Sequence, residues 1–176
     1  VEKGYLLKEE VNYLLNLQGS PYVKFVQALT DSGFMTIGEV EEALESFKKD
    51  NGFSDTDLEA IKSGDIDRII PIFVDLDIPF GSECISLAIR NLVRFVSNKI
   101  MLRKSYKARS YSFGNLACQQ LVGDNEVFLG FACKDKELLA IANPYAGEDF
   151  TEMNEDAFDS VCEFINCSNG LFASKL

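Results

Sequence analysis

The stretch Asp159-Ser160-Val161-Cys162-Glu163-Phe164-Ile165-Asn166, near the C-terminal end of the 176-residue chain, holds the residues best placed to do chemistry. Residues three and four apart are neighbours on a helix surface, so a helix here aligns Asp159, Glu163 and Asn166 on one stripe. Gly170 joins that stripe one turn later, where a missing side chain lets another backbone come close. Phe158, Val161, Ile165 and Phe172 recur at helical spacing on a different face, which gives the helix a side to bury. A carboxylate and a carboxamide then stand side by side next to a small-residue gap. Such a pair is either a solvated polar face or a site.

What else the chain carries narrows the chemistry. It contains no histidine, which removes Ser-His and Cys-His nucleophile pairs, imidazole-based zinc sites and the usual general base near neutral pH. The five cysteines, Cys84, Cys118, Cys133, Cys162 and Cys167, form no CxxC pair and sit within or beside apolar runs. They read as buried thiols in a reducing compartment, with neither a structural metal nor a disulfide expected. Any chemistry must therefore run on carboxylates, amides, hydroxyls, lysines or a metal brought by a partner.

The formal net charge of -11 argues against nonspecific nucleic-acid binding, which needs Lys and Arg to displace counterions. The charge is uneven. Arg90 to Arg109 holds seven basic residues and no acidic one, whereas Glu148 to Glu163 holds seven acidic residues and no basic one. These read as two solvated surfaces that could face one another, or as an acidic lead-in that steers a partner bearing an exposed basic residue. With 47% hydrophobic and 26% charged residues the composition is that of an ordinary globular protein. No stretch approaches the roughly 20 apolar residues that span a bilayer, and the start lacks a secretory pattern, so a cytoplasmic location is expected.

The elements that must position the stripe fall into two groups. Residues 1–79 read as a helical interaction module. Tyr5–Leu17 is apolar at helical spacing, Pro21 opens a helix over Tyr22–Thr30, and Ser32-Gly33 closes it. Thr36-Ile37-Gly38-Glu39 is a capping box opening a helix through Val40, Ala43, Leu44 and Phe47 that ends at Asn51-Gly52. Ser54 caps a shorter helix broken at Ser63-Gly64. Ile66–Phe73, interrupted by Pro71, reads as a short helix, with a strand as the alternative. Asp75–Gly81 is the linker candidate, and the net charge shifts from -9 over residues 1–80 to -2 over residues 81–176.

In the second group a long helix is expected over about residues 82–104. Strands over Lys107–Leu121 and Glu126–Lys134 follow, joined through Gly123-Asp124-Asn125 as an antiparallel hairpin. Leu116, Leu121, Val127, Leu129 and Phe131 give these strands a buried side. A helix over Asp135–Ala142 is stopped by Pro144, and the stripe-bearing helix follows. Helices packed on an antiparallel sheet make an α+β fold.

The pattern Asp159-x-x-x-Glu163-x-x-Asn166, followed by Asn169-Gly170, resembles the signature helix of the CheC/CheX/FliY family of chemotaxis phosphatases. The element order over residues 80–176 is similar to the first two thirds of a CheX-like domain, whose C-terminal part is absent from this chain. The second motif of the CheC branch is missing, since the matching positions of the long helix hold Ser86, Arg90 and Val93. The resemblance implies hydrolysis of the aspartyl phosphate on a CheY-like response regulator, which brings its own Mg2+, so that the chain needs no cofactor of its own. It makes Asn166 the group that donates to and accepts from the attacking water, and Glu163 the partner of a receiver lysine. Asp159 and Gly170 support them. The alternatives are a noncatalytic CheX-like docking or homodimerisation module, and an α+β domain in which the motif is fortuitous. Separately, Leu29-x-x-x-Gly33-x-Met35-Thr36 with Val40-x-x-Ala43-Leu44 resembles the helix pairs of MshEN-type domains, some of which bind cyclic di-GMP. Lys24-Phe25-Val26 replaces the family's Arg-Leu-Gly, and Phe47 its closing Gln, which removes the groups a phosphate needs.

Overall fold

The computed structural model describes residues 20–175 apart from Asn98 and Asn125, so the helix expected over Tyr5–Leu17 lies outside the described residues. Among the described residues the chain is an α+β protein with seven helices and one two-stranded antiparallel sheet. It divides into two compact units between Ile72 and Phe73.

The first unit is built from local signals. Helix α1 (Pro21–Asp31) starts with proline in its first turn, and Gly33 follows it with a left-handed φ of +69°. In α2 (Ile37–Asn51) the Thr36 amide donates to Glu39 Oε2 at 2.8 Å while the Glu39 amide donates to Thr36 Oγ1 at 3.3 Å. Ser54 and Asp57 repeat that reciprocal cap on α3 (Asp55–Ser63), at 2.8 and 3.2 Å. Gly52 and Gly64 end α2 and α3 in the left-handed region that only glycine adopts at little cost. Lys48 on α2 pairs with Asp55 at the start of α3. Ile66–Phe73 is a helix, α4, with Pro71 inside it, and the strand alternative falls away. Val40, Phe53, Leu58, Ala60 and Ile70 are buried, but α1 buries no residue completely.

The second unit begins with a pinned stretch. Asp75–Gly81, expected as a linker, is hydrogen-bonded to later residues: the Leu76 amide donates to Ser82 Oγ, the Asp75 amide to Ser105 Oγ, and Lys107 Nζ to the Asp77 carbonyl. Phe80, at φ +60°, turns the chain into helix α5 (Gly81–Phe95), and its ring meets Phe172 edge-on at 6.4 Å. The helix expected to reach residue 104 stops at Phe95. Beyond it Ile100, Met101 and Leu102 are consecutive rather than helically spaced, and basic residues flank them, so no face remains to bury.

Strand β1 (Asn115–Leu121) pairs antiparallel with β2 (Val127–Cys133), Asn115 opposite Cys133 and Leu121 opposite Val127. The strand expected from Lys107 is thus half as long. Lys134 caps helix α6 (Asp135–Ala146) at once, which leaves residues before Asn115 without a ladder partner in this pair. Leu116 is not on the buried side: it lies an odd number of residues from Leu121, so the pleat turns it outward, where it is exposed. Helix α6 runs past Pro144 to Ala146. Gly147 caps it at φ +71°, and Asn143 holds the next turn with two side-chain bonds to the Phe150 backbone.

Helix α7 (Glu155–Ala173) is the centre of this unit. Its Ala157, Val161, Phe164 and Ile165 are fully buried among Leu138 and Ala142 of α6, Ala117 of β1 and the inward residues Leu129 and Phe131 of β2. Phe164 packs on Phe131 and Tyr145 at centroid distances of 5.8 and 5.4 Å. Burying a phenylalanine of this kind contributes about 1.5–3 kcal/mol. No helix among the described residues is long and apolar enough to cross a membrane.

Candidate functional site

The residues that make α7 a helix also decide which of its side chains face outward. Asn154 caps it, its Oδ1 accepting from the Ala157 amide at 2.9 Å, and Glu155 and Asp156 place negative charge at the positive end of the helix dipole. The apolar face is locked down, and the opposite stripe is what remains. Asp159, Glu163, Asn166 and Gly170 are all exposed along it. A Cβ added at Gly170 would touch nothing within 4 Å, so the gap is open toward solvent. The groove of about 510 Å³ lined by Tyr111, Phe113, Lys134 and Glu137 includes none of these four. The stripe is an exposed helix face.

Three polar clamps fix that face. Ser160 Oγ donates to the Ala142 carbonyl on α6 at 3.1 Å, and Asn91 Nδ2 on α5 donates to Ser168 Oγ at 3.0 Å, both buried. The third clamp reaches the stripe. Asn169 Nδ2 donates to Gln119 Oε1 on β1 at 2.8 Å, and Gln119 Nε2 donates to Asn166 Oδ1 at 2.9 Å. Asn166 therefore lies on the surface with its carbonyl already engaged and its amino end turned away from β1.

Neighbouring groups are held neutral. Burial pushes the Tyr145 phenol up, and the adjacent Cys167 thiol and Glu163 carboxylate add to the effect. Cys162, beside Glu163 in sequence, is exposed; its residual burial raises its thiol pKa, with Asp159 and Cys118 adding to it. That corrects the expectation of five buried thiols: Cys84 alone is fully buried, Cys118, Cys133 and Cys167 are half-buried, and all five are free. Cys162 falls between the buried and polar stripes of α7, where an apolar neighbour in sequence says nothing about facing. A thiol held protonated beside a carboxylate is a poor nucleophile.

Sequence reasoning singled out Asp159, Glu163, Asn166 and Gly170, and the structure brings all four to one surface. It missed Gln119, Asn91, Ser160 and Ser168, and gave Asn169 no role beyond its place in the motif. Asn169 is 1% exposed. Its spacing from Val161, Ile165 and Phe172 marks it as a polar residue on the buried face. Gln119 lies two residues from Ala117 and Leu121 in the strand alternation, which turns it toward the helices; the partner it meets there is a tertiary fact. The chain matches no family model, and neither the curated proteins nor the solved structures provide a match.

Proposed function

We propose that the second unit is a CheX-like phosphatase acting on the aspartyl phosphate of a response-regulator receiver domain, in chemotaxis or another two-component pathway of the cytoplasm. The carrying observation is the exposed Asp159, Glu163, Asn166, Gly170 stripe on a helix whose other face is fully buried. An aspartyl phosphate is a mixed anhydride; water attacks phosphorus, the P–O bond to the receiver carboxylate breaks, and inorganic phosphate leaves. What the reaction mostly lacks is a water held in line with the leaving oxygen. Asn166 supplies a neutral amide that can hold that water beside an anionic phosphoryl group. Glu163 anchors the helix to a receiver lysine by a charge-assisted bond. Asp159 adds negative charge for the same encounter, and Gly170 admits the partner's backbone. The receiver contributes the Mg2+.

The test is loss of phosphoryl label from a panel of receiver domains, with Mg2+ supplied. Asn166→Ala lowers the catalysed rate by about 100-fold or more, the scale of losing one transition-state contact. Glu163→Ala weakens both complex formation and rate. Receivers that decay no faster with the protein than without it overturn the reading.

A second reading, a CheX-like docking module without catalysis, is favoured by the exposure of Glu163 and Gly170 on one open helix face, which a partner can dock on without turnover. Under it, receivers bind through Glu163 and are not turned over.

A further inference from the structure

The amide clamp behind the stripe has a direction, and that direction decides what Asn166 can recognise. Each primary amide has a donor end and an acceptor end, and three in a row bond head to tail in one of two senses. In the sense observed, Asn169 donates to Gln119 and Gln119 donates to Asn166. The buried carbonyl Asn169 Oδ1 has no hydrogen-bond partner, and one N–H of the amino group is bonded to Gln119. Turning the chain around would pair that carbonyl with Gln119 and leave both N–H donors of Asn169 without an acceptor, in place of one N–H and the carbonyl. Buried donors without acceptors are rarer and costlier than under-satisfied carbonyls. The buried end of the chain therefore selects the sense, and Gln119 transmits it to the surface.

We infer that Gln119 is a positioning residue that turns the Asn166 amide donor-end outward, so that the group this surface recognises is an oxygen acceptor. This rests on the phosphatase reading for the identity of that acceptor, a phosphoryl oxygen or the lone pair of the attacking water. The amide orientation itself does not depend on that reading. Asn166 sits on a helix with a free χ2 rotation, and an exposed asparagine with no partner samples both amide orientations. Fixing one removes the half of that population in which a carbonyl oxygen would face an anionic phosphoryl group. Gln119 makes no contact with the reacting atoms in this scheme. It acts through Asn166.

Two substitutions of nearly the same shape separate the orientation from the packing. Gln119→Glu keeps an acceptor for Asn169 but puts a second acceptor against Asn166 Oδ1, which rotates the Asn166 amide and turns its carbonyl outward. Gln119→Met removes both bonds and frees the amide. Side-chain amide exchange measured by NMR on the full chain reads the orientation without any partner. In the wild type the Gln119 and Asn169 amino protons are slow and the Asn166 protons fast; in Gln119→Glu the Asn166 protons become slow. With a receiver substrate, both variants lower kcat by about 10- to 100-fold, the scale of a misplaced contact, while KM stays near the wild-type value because Glu163 still docks. Melting temperatures close to wild type for either variant certify that the unit is folded.

An Asn166 exchange rate unchanged in Gln119→Glu overturns the inference, and so does a wild-type kcat in both variants of a protein that turns receivers over. The expected exchange pattern with no receiver turned over by the wild type supports the positioning role and overturns the phosphatase reading alone.

Discussion

Helix α2 in the first unit and helix α7 in the second are stabilised in different ways. Helix α2 is closed at both ends by its own neighbours in sequence, Thr36 with Glu39 at the start and Gly52 at the end, and buries only Val40 completely. Helix α7 has a single side-chain cap at Asn154, yet buries eight residues and is clamped by Asn91, Gln119 and Ala142, all distant in sequence. One helix is specified by signals within four residues, the other by an interior assembled from four elements. A face whose side chains must hold one direction needs the second kind of support, because local caps fix where a helix begins but not which way its side chains point.

That contrast can be broken most forcefully at Phe164. Phe164→Ala leaves a cavity between α7, Phe131 and Tyr145 and costs about 3–5 kcal/mol. Hydrogen exchange should show amides of α5, α6 and α7 losing protection while those of α2 and α3 keep theirs. Loss in both units together would mean that they share one cooperative interior. Thr36→Ala comes next at about 1 kcal/mol, the usual cost of a lost N-cap, with raised exchange confined to the first turns of α2. Smaller still is Gly170→Ala, which should raise the melting temperature through about 0.5–1 kcal/mol of helix propensity, since the added methyl meets no atom of this chain. Under the phosphatase proposal receiver turnover by this variant should fall, because the methyl fills the gap at Gly170; unchanged turnover would remove Gly170 from the proposed contact.

The smallest effect is a pH dependence. Two bonds from the Thr36 amide and hydroxyl hold the Glu39 carboxyl below the ordinary carboxylate range. A depressed folded-state value gives stabilisation that is present above the unfolded carboxylate value and lost as pH falls through the folded one. Acid titration followed at the Val40 amide should show α2 fraying in that window, and Thr36→Ala should weaken the dependence without abolishing it, because the backbone amide bond to Glu39 remains.

What could be read in the sequence follows the same division. The capping box at Thr36, the glycine stops at Gly52 and Gly64, and the bounds of Ile66–Phe73 are local features, and each is where the spacing puts it. The α7 stripe was legible too, because a helix lays out its own faces. The extent of β1 was not, since a strand lasts only as long as its partner, and β2 is cut off by the cap of α6. Nor was the end of α5, where the consecutive apolar residues Ile100, Met101 and Leu102 prolong the apolar content without giving a helix a face. Gln119 escaped for the plainest reason: nothing in the forty-six residues separating it from Asn166 says that the two amides meet.

Asn169 is a defect if judged by heat resistance alone. It fills an apolar interior with a carboxamide whose carbonyl has no hydrogen-bond partner, and a burial of that kind costs about 1–3 kcal/mol. Variants sorted for survival at high temperature would tend to acquire an apolar residue there and improve, as proteins do when a buried polar group without a partner is removed. Gln119 would then have nothing to accept from on its inner side, and the surface amide would turn freely. Thermal hardening of this domain and the fixed orientation of Asn166 pull against each other, at a residue that solvent hardly reaches.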